Sequence, residues 1–242
     1  MFLFICIFIL TKNPEIEALT EMWTKVSLET KYIPIDTMTL NFKSGKTKCG
    51  SSCIANHWCK TWCFKHENCS LSSISVSPYY VAHSTDSVPC FTKKRTDLAF
   101  GVKTYSSQLY APHRLSSYSN DGVYYNDKVK FATRYDNYPW VLYDLGKLAI
   151  VFEIRIQTYR SIKYGPLYTT NIEIKIGNSL AINGDFSKYE IFDSMIGNCK
   201  YEEINYFKPL IPMEGRYVVI ISQGYNVLLA FDYIEIDGKF KI

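Results

Sequence analysis

Residues 49–69, CGSSCIANHWCKTWCFKHENC, hold five cysteines and two histidines. Three chemistries can use such a cluster: metal ligation by thiolate and imidazole, nucleophilic attack by a thiolate, or covalent closure as disulfides. The spacing C-x3-C-x5-C-x3-C-x5-C departs from structural zinc sites, where short C-x2-C or H-x3-H pairs flank a longer loop. His57 and His66 do not make a second pair. A catalytic cysteine stands alone in a setting that favours its thiolate, whereas these thiols are crowded. Neighbouring thiols pair in an oxidising compartment, so the cluster reads as a disulfide staple.

The compartment is read from the first residues, MFLFICIFIL. Phe2 to Leu10 is an unbroken apolar run, too short for a bilayer span of roughly 20 residues. It fits the core of a secretory signal, with Ile16 and Ala18 at the −3 and −1 positions and residues 1–18 removed. The missing basic residue before the run and the acidic stretch around Glu15 and Glu17 leave a buried first strand as the alternative. No other stretch is long and apolar enough to span a membrane, and the chain is expected to be secreted and extracellular. A formal net charge of +4, with one short run at Lys93-Lys94-Arg95, is too weak for a nucleic-acid footprint. It leaves an anionic membrane surface open as a partner. At 242 residues, 47% hydrophobic, the chain has room for two ordered domains.

A helix is the element that can present the first cysteines. Cys49 and Cys53 lie four apart, on one helical face, with Thr47 placed to cap. Ile54 and Trp58 repeat the same step, and strands such as TWCF and CSLSSISV follow. A two-cysteine helix against a short sheet resembles the PAN/apple module over roughly residues 37–92, within a domain of residues 19–92. The resemblance rests on Cys49, Cys53, Cys59 and Cys69, the aromatic strand at Trp62 to Phe64, and Cys69-Ser-Leu71. It implies the pairs Cys49–Cys69 and Cys53–Cys59, leaving Cys63 for Cys90, one of fifteen connectivities open to six cysteines. Asn68-Cys69-Ser70 is also a glycosylation sequon.

From about Asp97 the cysteines all but vanish and period-two runs take over. VFEIRIQTY (151–159) puts Phe152, Ile154 and Ile156 on one face, and NIEIKIG (171–177) does the same with Ile172, Ile174 and Ile176. YVVIISQ (217–223) is continuously apolar, as for a strand covered on both sides, and FDYIEIDG (231–238) alternates again. Turns are expected at Leu145-Gly146, Gly165-Pro166, Asn183-Gly184-Asp185, Glu214-Gly215 and Gln223-Gly224. No run of helical length interrupts. The fold class is therefore mainly β: an antiparallel jelly-roll β-sandwich preceded by a small disulfide-rich α+β domain.

The residues of that second half are similar to the coagulation-factor type-C (discoidin) fold, of the galactose-binding-like kind, and especially to its F-type lectin, or fucolectin-like, branch. The matching stretches are Asp97-Leu-Ala-Phe-Gly101, Asp121-Gly122, Pro139-Trp140 with Asp144-Leu-Gly146, Ile176-Gly-Asn-Ser179, Gly215-Arg-Tyr-Val218 and Ile234-Glu-Ile-Asp-Gly238. They span residues 97–242. These signatures are architectural: Trp140 reads as a core or rim anchor and Asp144 as a turn cap.

No enzymatic constellation appears: there is no G-x-S-x-G, H-E-x-x-H, G-x-x-x-x-G-K-[ST] or G-x-G-x-x-G, and the four histidines lie apart. Binding without catalysis, through loops at one end of the sandwich, is the remaining chemistry. Tyr105, Tyr110, Tyr118, Tyr124, Tyr125, Tyr135 and Tyr138 crowd one stretch. Each offers a flat apolar ring with a polar tip, suited to a sugar or protein face, or else plugs the end of the sandwich. His113, Arg114, Arg134, Arg160 and Lys163 add hydrogen-bond donors nearby.

The F-type lectin resemblance implies fucose binding through a histidine after D-G and an R-x-D followed by a further basic residue. Arg160 stands at roughly the first arginine's place, with Lys163 beyond it. Arg160-Ser161-Ile162 lacks the Asp, no adjacent cysteine pair is present, and no histidine follows Asp121-Gly122. The candidate carbohydrate contacts are thus Arg160, Lys163, Tyr124, Tyr125 and His113, with the sugar unspecified. The resemblance also implies calcium, with Ser119, Asn120, Asp121 and Asp232 as candidate ligands, though Asp121-Gly122 reads equally as a plain turn. Cys199 has no evident mate, leaving an intermolecular bridge within a homo-oligomer or a buried passenger. Glycans or glycoproteins are the expected partners. The alternative is protein or phospholipid adhesion through apolar tips at Leu109-Tyr110, Leu115 and Pro166-Leu167, with Lys163 alongside.

Overall fold

The structure, a computed structural model, describes residues 23–30, 38–41, 45–72, 76–82, 85–122, 131–158, 169–199 and 204–242. The expected signal segment lies outside the described residues, as do Tyr124, Tyr125, Arg160, Lys163 and Pro166-Leu167.

The first sheet contains β1 (Trp23–Glu29), β2 (Met38–Asn41), β3 (Thr61–Lys65), β4 (Asn68–Ser72) and β5 (Ser87–Lys93). They run in the order β1-β5-β3-β4-β2, each neighbour antiparallel. α1 (Lys46–Ala55) buries Cys49 and Cys53 against it. Cys49 bonds Cys69 on β4, Cys53 bonds Cys59 just before β3, and Cys63 bonds Cys90 across the β3–β5 ladder, where the two stand directly opposite. These are the pairings that the PAN/apple resemblance implied. Thr47, expected as the cap, lies inside the helix; Gly45 takes the N-cap position at φ 93, a conformation open to glycine.

Both faces of this small sheet are covered. On the helix side, Trp62 stacks on Phe91 at 4.1 Å and meets the edge of Trp23 at 6.0 Å, around the Cys49–Cys69 bond. On the other side Val26 and Leu28 of β1 pack with Val76, Tyr80 and Val88.

The second architecture is built on β8 (Trp140–Gln157). Its first part pairs with β6 (Lys103–Ser106) and β12 (Met213–Ser222), and its last part with β14 (Tyr233–Phe240) and β11 (Ile204–Phe207). β9 (Thr170–Gly177) and β10 (Glu190–Asn198) extend the sheet beyond β12, and β7 (Phe131–Ala132) pairs separately with β13 (Ala230–Phe231). One long strand thus exchanges partners from end to end, tying the layers of an antiparallel sandwich together.

Two expected turns are absorbed by strands. At Leu145-Gly146, Gly146 has φ 76 and the β8–β12 register shifts, so the feature is a bulge within β8. The Asp144 carboxylate accepts the Gly146 amide at 2.9 Å, the cap expected of it. Glu214-Gly215 lies inside β12 because its ladder to β8 continues through both residues. Phe152 is only half-buried: the β8–β14 register shifts opposite it, and the phase change turns Val151 inward in its place.

In β9 and the end of β8 the core follows the alternation. Ile154, Ile156, Ile172, Ile174 and Ile176 are buried with Val218, Ile220, Phe231 and Ile236. Val219 and Ile221, on the opposite face of β12, enter a second cluster with Leu142, Phe186, Tyr189 and Tyr217. That two-sided cover explains the unbroken apolar run of β12. Trp140 anchors the second cluster, its ring edge-on to Phe186 at 5.2 Å. Cys199 is buried in the main core, where burial pushes its thiol up to about 12. It is the passenger of the two alternatives, since an inert, enclosed thiol is poorly placed to bridge.

The connector at 93–97 docks the two parts. Arg95 donates from Nε to Glu235 Oε2 at 2.6 Å and from Nη2 to the Val76 carbonyl at 3.0 Å, and Arg155 reaches Glu235 from the other side. Beneath them the Tyr233 hydroxyl donates to Asp97 Oδ2 at 2.5 Å.

Candidate functional site

Three loops are knitted into one surface at an end of the sandwich. The Tyr110 amide donates to the Ala132 carbonyl at 2.9 Å, and Arg134 to Gln108 at 2.7 Å, joining 107–115 to 131–134. The Thr133 amide donates to Leu229, the Leu229 amide to Thr133 Oγ1, and Asp136 exchanges bonds with Val227, joining 133–138 to 224–229. The Tyr138 amide donates to the Gly224 carbonyl at 2.9 Å, and Asn137 Oδ1 accepts the Asn226 amide at 3.1 Å. These bonds satisfy backbone groups within the loops and leave several side chains to face outward.

Those side chains are aromatic and basic. Tyr110, Tyr135, Tyr138 and Tyr225 are each exposed, Tyr225 at 74%. Tyr138 and Tyr225 meet edge to face at 5.2 Å, and the hydrogen bond between their hydroxyls holds the Tyr138 phenol above its ordinary value. Arg134 and His113 are exposed on the same loops. Tyr138 and Asn226 sit at φ 55 and φ 51. Left-handed backbone at a bulky tyrosine costs about 1–3 kcal/mol and is held here by the cross-loop bonds, a pattern concentrated at binding sites.

Arg160 and Lys163 lie outside the described residues. Thr158 and Thr169, the described residues on either side in sequence, are buried, and Thr169 Oγ1 donates to the Ala230 carbonyl on β13. The segment carrying Tyr124 and Tyr125 ends at Phe131, which pairs with Phe231 on the same strand. His113 is the one expected carbohydrate contact that falls among the described residues, and it is exposed. Tyr105 is a plug: it packs beside the second core cluster with Lys103 Nζ 4.8 Å from its ring centroid. Leu109, a candidate adhesive tip, turns inward against the main core, because its backbone bridges Thr133 and points the side chain under the loop.

Tyr225 was not legible from the sequence. Gln223-Gly224 before it reads only as a turn; the ring gains meaning when Asn137 and Tyr138 arrive beside it from far along the chain.

Calcium takes six or more oxygens. The Ser119 hydroxyl is already held between the Ser116 carbonyl at 2.6 Å and the Tyr143 hydroxyl at 2.5 Å. Asn120 spends its Nδ2 on the carbonyls of Ala99 and Val102, at 2.7 and 3.0 Å. Asp232 is buried at 2% exposure. Among the described residues no three His, Cys, Asp or Glu side chains gather as a metal group. Ser119 and Asn120 thus act as fasteners of the 3-10 helix Ser116–Asn120.

No family model matches the chain, and no curated protein matches it. Among solved structures it is similar to an f-lectin (fucolectin) from striped bass (Morone saxatilis) serum. Identity is 25% and the TM-score 0.52, over 60% of this chain and 49% of that one. The chain spans about half the length of that lectin. A fucose-binding module from Streptococcus pneumoniae is similar at 17% identity and a TM-score of 0.47, covering 58% of this chain and 96% of the module. The lectin domain of lectinolysin is similar at 17% identity and a TM-score of 0.46, over 58% and 95% of the respective chains.

Proposed function

We propose that this chain is a secreted, non-enzymatic recognition protein that binds carbohydrate on cell surfaces or glycoproteins through the loops at one end of its sandwich. The observation that carries this reading is the knitted surface of Tyr110, Tyr135, Tyr138 and Tyr225 with Arg134 and His113. Its fold is similar to that of the striped bass fucolectin. Exposed tyrosines supply flat apolar faces at low entropic cost, and an arginine fork can take two vicinal hydroxyls in one plane. In this reading Arg160, Lys163, Tyr124 and Tyr125, which lie outside the described residues, complete the contact. The departures from the fucose motif leave the sugar to be identified by experiment. The disulfide unit is a PAN/apple-like module, and its three cross-links fit an oxidising, extracellular setting.

A glycan array probed with the full chain, with and without a calcium chelator, tests the proposal. A restricted set of glycans should retain the protein. Arg160→Ala and Arg134→Ala should each lower that retention while the thermal midpoint stays within about 2 °C of the parent, as expected of surface changes. Loss of signal on chelation would assign calcium a part in binding. A blank array in both conditions sinks the carbohydrate reading, and vesicle or protein capture would then support adhesion.

A further inference from the structure

The Asp121–Gly122 turn is the place where the lectin resemblance implies a cation, and the structure puts something else there. The Ser77 amide, from the disulfide module, donates to the Gly122 carbonyl at 2.8 Å. The Gly122 Cα lies between two rings: a Cβ built on it would stand 2.8 Å from Phe100 Cε2 and 3.2 Å from Tyr80 Cδ2. Its φ of 94 is a second reason for glycine. Tyr79 stacks on Phe100 from the same side, with ring centroids 6.2 Å apart.

The segment that makes these contacts, 76–80, is itself locked. Its Val76 carbonyl accepts from Thr92 Oγ1 at 2.7 Å and from Arg95 Nη2, whose Nε holds Glu235 on β14. Tyr80 is buried and its hydroxyl donates to Glu29 on β1 at 3.3 Å. The Ser77 hydroxyl joins the buried Asp97–Tyr233 pair. From the sandwich side, the Gly101 amide donates to the Asn120 carbonyl at 3.0 Å, and Asn120 holds Ala99 and Val102. The turn is therefore gripped between the disulfide module and the sandwich.

We infer that the disulfide module fastens the Asp121–Gly122 turn of the sandwich through Ser77 and Tyr80, in the place that the lectin resemblance gives to a metal ion. The module is then a positioning part of the recognition end, and the order of residues 116–122 does not depend on a divalent cation. The inference deepens the carbohydrate reading, since that turn leads into the segment carrying Tyr124 and Tyr125, but its test does not use a sugar.

Hydrogen exchange of the full chain, followed by mass spectrometry, reads the turn directly. In the parent protein, peptides covering 116–122 should show the same protection in calcium chloride and in EDTA. Tyr80→Ala should speed their exchange several-fold, with peptides of β12 unchanged as a report of the folded sandwich. Because Tyr80 is also a core residue of the disulfide module, Gly122→Ala provides the matching change from the sandwich side. It should loosen the same peptides while those of β3 and β4 keep their protection. Protection of 116–122 that collapses in EDTA, or that neither substitution moves, overturns the inference. A blank glycan array would strike at the proposed function and leave these exchange rates as they are.

Discussion

Arg216 grips Asp144 with two bonds, Nε to Oδ1 at 2.7 Å and Nη2 to Oδ2 at 2.9 Å, beside the bulge of β8. Hydrogen bonding to Arg216, helped by the Gly146 amide, holds the Asp144 carboxyl below its ordinary value of 3.8. A carboxyl depressed in the folded state contributes stability that is present above its unfolded value and is lost as pH falls through the folded one. The thermal midpoint should therefore decline on acidification below about pH 4, and Asp144→Asn should flatten that decline. Differential scanning fluorimetry across this range checks it; an unchanged acid limb in the variant would remove Asp144 from the account. At this scale the loop surface also divides, since Tyr105 and Leu109 serve packing whereas Tyr110, Tyr138 and Tyr225 face solvent.

Among the elements, β12 has both of its faces against apolar layers. Ile220, fully buried, faces the main core, while Val219 faces the cluster of Phe186 and Tyr189. Ile220→Ala removes a branched side chain from a close-packed interior and should cost roughly 2–5 kcal/mol. Ile191 on the edge strand β10 is 59% exposed, and Ile191→Ala should change stability by less than about 0.5 kcal/mol. Urea denaturation with a common m-value distinguishes the two. Similar costs at both positions would mean that β10 is covered in solution. The strand periods of β9 and β12 were legible because burial alternates, or fails to, at every residue; in β14 the expected alternation fails, because Glu235 is drawn in by Arg95 and Arg155 and is 1% exposed. The short strands β6, β7 and β13 were not, since two to four residues carry no period and owe their pairing to partners distant in sequence.

For the whole molecule, the connector decides how the parts act. Arg95 reaches the disulfide module through Val76 and the sandwich through the almost fully buried Glu235. Replacing it leaves a buried carboxylate with one charged neighbour fewer, so Arg95→Ala should destabilise the chain by roughly 1.5–3 kcal/mol, the range for hydrogen bonds to charged groups. Arg95→Lys should recover little of that, because an ammonium cannot span both acceptors as the planar fork does. Equilibrium unfolding of both variants measures this. A lysine variant as stable as the parent would show that charge alone, without the fork, holds the parts together.

The residue order alone determined the disulfide staple, the β-rich second half and the tyrosine-laden stretch, because each is written in local spacing. Tertiary structure alone decided which tyrosines face out, brought Tyr225 to Tyr138, and turned Leu109 inward. It also committed Ser119 and Asn120 to loop fastening and set Ser77 and Tyr80 against Gly122. Those outcomes depend on contacts between residues far apart in the chain, whose packing and hydrogen-bond satisfaction no local pattern encodes.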